Sequence, residues 1–221
     1  MNPAADPKPM EDVHGDGRWM SQHEHFLSEV REKEPEVILI GDSLLLHLSH
    51  RMIWGKMFEP LHCLNLSIGG DQTQHVLWRV LNGELENIQP KVIVLQVGTN
   101  NYEHSAEQIS MAIKKIADVI IEKQPQTQLI VMGIPPRGQN PNKLREKIKE
   151  TNNRLRELFT DLPNVTYVHV DPAIFISAKD ETISVRDMYD FLHFTDHGYE
   201  KLCEPLLDEI QNLFLSFVKV E

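Results

Sequence analysis

Val37-Ile38-Leu39-Ile40-Gly41-Asp42-Ser43 is an apolar run that ends at a glycine, an acid and a hydroxyl. Side chains alternate across a strand, so successive apolar residues, three of the four β-branched, describe a strand covered on both faces. Similar runs recur at residues 63–66, 92–97, 129–134 and 165–170. Between them lie amphipathic stretches. Residues 106–122 carry Ile109, Ile113, Ile116 and Ile120 at helical spacing, and residues 143–159 carry Leu144, Ile148, Leu155 and Leu158. Buried strands alternating with helices predict an α/β fold: a three-layer α/β/α sandwich around a five-stranded parallel sheet joined by right-handed crossovers. A last helix is expected from Thr195, whose hydroxyl can cap it, with Leu202, Leu206, Ile210, Leu213 and Phe217 on one side.

Bulk properties narrow the function. The 221 residues suit one domain, and no repeat or linker divides them. Residues 1–14, rich in Pro and acids, read as a flexible tail before a single domain at 15–221. The net charge of −11 argues against nucleic acid or anionic bilayers as partners. Cys63 and Cys203 are too few for a disulfide framework, which fits a reducing compartment. With no signal-like segment at the N-terminus and no run of membrane-spanning length, the expectation is a cytoplasmic protein without a transmembrane segment.

In an open parallel sheet, ligands gather outside the carboxyl ends of the strands, where Ser43, Gly69-Gly70, Gly98-Thr99-Asn100 and Pro135-Pro136 fall. Ser43 at a strand-to-helix junction is placed as a nucleophile would be, although a helix cap is the alternative for an isolated Gly-Asp-Ser. Gly70 can bring a backbone N–H close to the rim, and the Asn100 amide is a donor that does not titrate. Asp190 and His193 can together present an imidazole oriented by a carboxylate. His193 and His197 stand four apart, but the Glu of His-Glu-x-x-His is missing and Gly198 follows, which argues against a metal site. His75 has no role at this level, and His47, His50, His62, His104 and His169 read as structural or solvated.

Gly41-Asp42-Ser43, Gly70, Asn100 and Asp190-x-x-His193, in this order, resemble the blocks of the SGNH (GDSL-type) esterase superfamily, whose sheet is flavodoxin-like. Beyond them, Gly15-Asp16-Gly17-Arg18-Trp19-Met20, Ile68-Gly69-Gly70-Asp71, His75-Val76-Leu77-Trp78-Arg79, Asn82-Gly83-Glu84-Leu85-Glu86 and Pro136-Arg137-Gly138 are similar to the family of catalytic α subunits of intracellular platelet-activating factor acetylhydrolase Ib. That resemblance implies a serine esterase for the sn-2 acetyl group of short-acyl phospholipids, with no cofactor and no metal. It implies Ser43 as nucleophile, His193 as base and Asp190 as its orienter. It further implies an oxyanion hole of Ser43, Gly70 and Asn100, and an acyl pocket closed by Leu44, Thr99 and Leu192. It also implies a homodimer, or a heterodimer with a paralogous α subunit, docked on a WD-repeat (lissencephaly-linked) dynein regulator. Gln96, where Trp is usual, Leu45-Leu46-His47 in place of Val-Gln-Leu, and Ile134-Pro135 in place of Leu-Leu depart from the pattern. Two other readings stay open: a dimeric binding partner of the WD-repeat protein with incidental esterase activity, and an SGNH esterase for another acetyl ester.

Overall fold

The computed structural model describes residues 1–218, so the last three residues of the expected domain lie outside the described residues. Five parallel strands form the sheet: β1 (Val37–Gly41), β2 (Cys63–Asn65), β3 (Val92–Gln96), β4 (Gln128–Met132) and β5 (Val165–Val168), in the order β2-β1-β3-β4-β5. The strand order reverses between β1 and β3, and such a reversal opens a crevice at the carboxyl ends of the two strands. Alternate residues of each strand feed opposite layers. Ile38, Ile40, Ile93, Leu95, Leu129 and Val131 pack with α1 (Arg18–Glu32), α3 (Thr73–Leu81), α4 (Ala106–Lys123) and α5 (Lys143–Leu158). Val37, Leu39, Val92, Val94, Ile130 and Met132 pack with α2 (Ser43–Leu46) and α6 (Asp196–Val218).

The expected α/β/α sandwich is the fold observed, with differences at its edges. Residues 66, 97, 134 and 170 lie past the strand ends, yet each stays buried where the chain turns out of the sheet, so the apolar runs outlast the strands. β2 and β5, with one neighbour each, are only partly buried. Thr195 caps α6 as expected: the Gly198 N–H donates to its hydroxyl at 3.1 Å. Both cysteines are free, and burial raises each thiol to about 12.

The N-terminal segment differs most from expectation. Residues 2–10, expected within a flexible tail, pack onto the layer containing α3 and α4. Ala4 is fully buried and its carbonyl accepts the Thr73 hydroxyl at 2.7 Å, the Asn2 amide donates to the Gln108 carbonyl at 2.8 Å, and Met10 packs against the core. Two alanines and a methionine among prolines and acids are enough to anchor the segment, because its backbone polar groups find partners on the helices.

A buried ion cluster ties this layer to the strand ends. Arg79, without solvent exposure, donates from Nε to Asp71 at 2.9 Å, from Nη1 to Glu84 and to the Leu66 carbonyl at 2.9 Å, and from Nη2 to the Gly41 carbonyl at 3.4 Å. The Trp19 indole donates to the other Asp71 oxygen at 2.7 Å, and His23 Nδ1 lies 2.9 Å from Glu84. Replacing Arg79 with Met strands two buried carboxyl groups and is expected to cost about 3–5 kcal/mol in urea unfolding. Lys33→Met, at an exposed i,i+4 pair with Glu29, should cost under about 1 kcal/mol.

Candidate active site

β1 delivers Ser43 directly to the first turn of α2. Asp42 is the cap of that turn, its Oδ1 accepting the Leu44 N–H at 2.9 Å, so Ser43 sits one residue inside the helix. The cap reading therefore belongs to Asp42 and leaves the Ser43 hydroxyl free to face the rim. His193 Nε2 lies 3.0 Å from Ser43 Oγ, and His193 Nδ1 lies 2.6 Å from Asp190 Oδ2. A carboxylate only accepts, so Nδ1 carries the proton and Nε2 is left to accept from the hydroxyl.

The segment holding this pair is locally constrained. Asp190 Oδ1 accepts the backbone N–H groups of both Leu192 (3.1 Å) and His193 (2.7 Å). Phe191 between them adopts a left-handed φ of 60°, uncommon for a bulky residue, and its carbonyl accepts the Gly138 N–H at 2.8 Å. Burial alone would raise the Asp190 pKa, but the bonds from the His193 ring and backbone outweigh it and hold the carboxyl below its ordinary value. Asp190 therefore stays charged well into the acid range.

Opposite this line stand the possible oxyanion donors. Gly70 has φ +84°, a conformation that glycine adopts without strain, and lies on an exposed turn. The Asn100 amide donates one hydrogen to the Asp71 carbonyl at 3.0 Å, which fixes its plane and leaves the second hydrogen uncommitted. The Asp71 carboxyl is held by Arg79 and Trp19, so the buried cluster fixes the loop that carries Gly70, and the Asp71 backbone carbonyl ties Asn100 on the next loop to it. Leu44 and Thr99 are buried and Leu192 is half-buried at this rim, and Arg137 fixes Thr99 by donating to its carbonyl (2.9 Å) and hydroxyl (3.1 Å).

Three features escape the sequence reading. The first is the Asp71–Arg79–Glu84 cluster, whose residues were quoted only as family-like blocks; its signal is charged residues set among buried apolar positions. The second is His75: burial, with Lys8 and Arg79, lowers its pKa to about 4, and its neutral Nδ1 accepts the Gln72 N–H at 3.1 Å, closing a cap on α3. The third is His47, read as structural or solvated, whose ring centroid lies 4.8 Å from that of His193. Its signal is the four-residue spacing from Ser43, which places both on one helix face.

Sequence comparisons show the family. Residues 39–201 match the model of the GDSL-like Lipase/Acylhydrolase family. The chain belongs to this family. It is 50% identical over 205 residues to human platelet-activating factor acetylhydrolase IB subunit alpha1, covering 93% of this chain and 88% of that protein. To the chicken alpha2 subunit it is 50% identical over 212 residues, covering 96% and 92%. The family and these relatives make the chain a carboxylic ester hydrolase. Among solved structures, a GDSL-like lipase from Bacteroides thetaiotaomicron superposes with a TM-score of 0.71 at 15% identity, over 88% of this chain and 98% of that one. A carbohydrate esterase family 3 protein from Talaromyces cellulolyticus gives 0.60 at 12% identity, over 82% and 99%. At such identities these two establish the fold alone. Among the described residues no helix is long and apolar enough to cross a membrane.

Asp42 supplies a test of the electrostatics. Complete burial raises its carboxyl from 3.8 to about 7, against the lowering effect of the Leu44 N–H bond, and one oxygen has no hydrogen-bond partner among the described residues. The folded state then holds a proton that the unfolded chain has lost between about pH 4 and 7, so stability falls as pH rises through that window. Asp42→Asn keeps a capping oxygen and removes this share. Its urea midpoint is expected to fall less than the wild-type midpoint from about pH 4.5 to about 7.5, the remaining slope coming from Asp71, which burial raises to about 6. Equal falls would contradict a buried, proton-holding Asp42.

Proposed function

We propose that the chain removes the sn-2 acetyl group of platelet-activating factor and similar short-acyl phospholipids through Ser43, His193 and Asp190. The observation that carries this reading is the continuous line from Asp190 Oδ2 through the His193 ring to Ser43 Oγ, with spans of 2.6 and 3.0 Å, at the crevice of a GDSL-family sheet. Ser43 Oγ attacks the ester carbonyl as His193 Nε2 takes its proton, and Asp190 stabilises the imidazolium that forms. The N–H groups of Ser43 and Gly70 and the free Asn100 amide hydrogen receive the oxyanion. The intermediate collapses as His193 returns the proton to the departing glycerol oxygen, leaving acetyl-Ser43. Water, deprotonated by the same imidazole, releases acetate.

Leu44, Thr99 and Leu192 close the acyl side, so exclusion by size sets the preference for acetyl. Supporting the substrate class are the two relatives named for platelet-activating factor acetylhydrolase, matched along nearly the whole chain. The same likeness supports a homodimer or a heterodimer with a paralogous subunit, docking on a WD-repeat regulator, and a cytoplasmic location.

A fluorophosphonate probe is expected to label the wild type and not Ser43→Ala, whose kcat should fall by about 10⁴-fold or more. Labelling that persists in the variant would remove Ser43 from the role. Asn100→Ala is expected to lower kcat about 10²–10³-fold with little change in KM, since the donor acts on charge that develops only in the transition state. Over acyl chains of two to eight carbons, kcat/KM should fall steeply with length; a flat profile would contradict the acyl pocket.

A further inference from the structure

Ser43 opens a helical stripe whose other members have no part in the chemistry above. His47 and His50 follow it at four and seven residues, the spacing of one face through α2 and the short helical turn at His47–His50, and Arg51 follows at once, where the backbone leaves that turn in an extended conformation. The stripe leads from the nucleophile to the outer side of the base. His47 lies 4.8 Å from His193 between ring centroids and 6.4 Å from His50. On a second route, the Tyr189 ring stacks beside His193 at 6.0 Å, and the Arg51 guanidinium sits 5.9 Å from the Tyr189 centroid.

These groups are weakly committed. Among the described residues Arg51 meets only Asp196 as an ion pair, at 4.0 Å, while the same Asp196 also accepts the Met52 N–H at 3.2 Å. Arg51 Nε is buried without a hydrogen-bond partner among the described residues. His47 is partly buried and neither of its ring nitrogens has a partner among the described residues. Burial lowers its pKa, with His193, His50 and Arg51 adding in the same direction against Asp190. A neutral imidazole keeps an N–H donor without opposing the charge that must form on His193, whereas a lysine or arginine so close would oppose it.

The reaction geometry says what this stripe meets. His193 protonates the leaving oxygen, so the leaving group departs on the imidazole side, while the acyl group faces Leu44, Thr99 and Leu192. In a glycerophospholipid a phosphodiester sits a short carbon link from that oxygen. Resting on the esterase reading above, we propose that His47 and Arg51, with His50 at the outer end, form a subsite for the phosphodiester anion of the leaving lysophospholipid. His47 offers a neutral N–H nearest the base, and Arg51 supplies the full charge farther out.

The test compares two esters: a 1-alkyl-2-acetylglycerophosphocholine, and the same alkyl acetylglycerol capped as a methyl ether at sn-3. The ratio of their kcat/KM values isolates phosphate recognition from any change in the base itself. Arg51→Gln and His47→Leu are each expected to lower the ratio about tenfold, the scale of one charge-assisted hydrogen bond, and Arg51→Lys should recover most of it. Rising salt should lower the ratio in the wild type and leave it flat in the double variant. A ratio within twofold of wild type in both single variants overturns the subsite, as does an equal fall of both rates, which would make His47 a support of the base. If the wild type hydrolyses neither ester, the esterase reading fails first; if it hydrolyses both and the ratio does not respond, the subsite alone fails.

Discussion

The Arg79 guanidinium is the point on which the rim depends. It reaches the carbonyls of Gly41 and Leu66, where the chain leaves β1 and β2, and the Asp71 carboxyl one residue after Gly70. One planar, rigid group thus relates the approach to Ser43, the exit of the neighbouring strand and the loop bearing Gly70. A buried ion pair is poor evidence for stability, because desolvation offsets most of the attraction. What such a cluster supplies here is geometry, since every nitrogen of Arg79 and both oxygens of Asp71 have partners, and few other arrangements satisfy them all. Glu84 and His23 extend the same set of bonds to α1, so the rim is braced from the opposite end of its layer.

That bracing matters because the groups at the rim come from distant parts of the chain. Ser43 and His193 are 150 residues apart, and Asn100 is fixed by a carbonyl 29 residues upstream. A parallel sheet solves this problem by returning each strand to the same edge, and the switch between β1 and β3 places two of the loops side by side. Gly41 shows how tight the junction is: a Cβ there would stand 2.2 Å from the Gln96 carbonyl oxygen on β3. The Gly-Asp-Ser sequence is thus a packing requirement at its first residue and a helix cap at its second, and only its third carries the proposed chemistry.

Much of this was legible because parallel strands are buried on both faces and announce themselves as apolar runs, and because the rule placing ligands at strand ends turns five runs into one rim. Ser43, Gly70, Asn100 and the Asp190–His193 pair could all be set on that rim before any coordinates. The ion cluster could not, since Trp19–Asp71 and His23–Glu84 are contacts across 52 and 61 residues with no periodic signature. The N-terminal segment failed for a related reason: composition reports how much apolar surface a segment has, not whether its few apolar residues find a ready-made surface. The closeness of His47 to His193 was not read because neighbours on one helix face were weighed separately, although its spacing from Ser43 was already visible.

The titratable groups around Ser43 divide in a way that favours one protonation step. Asp190 is held ionised on the far side of the imidazole, whereas Asp42, adjacent to Ser43 in sequence, is pushed by burial to about 7. A full negative charge at Asp42 would oppose the oxyanion that must form next to it; its partial neutralisation removes that repulsion near neutral pH. Burial holds His47 toward its neutral form, with His193, His50 and Arg51 adding in the same direction, and a neutral ring there does not oppose the imidazolium of the proposed mechanism. The environment thus separates two aspartates of equal intrinsic acidity, which is how a fold assigns different roles to identical side chains. In the proposed mechanism the Asp190 carboxylate is the committed negative charge, placed where it helps His193 accept a proton from Ser43.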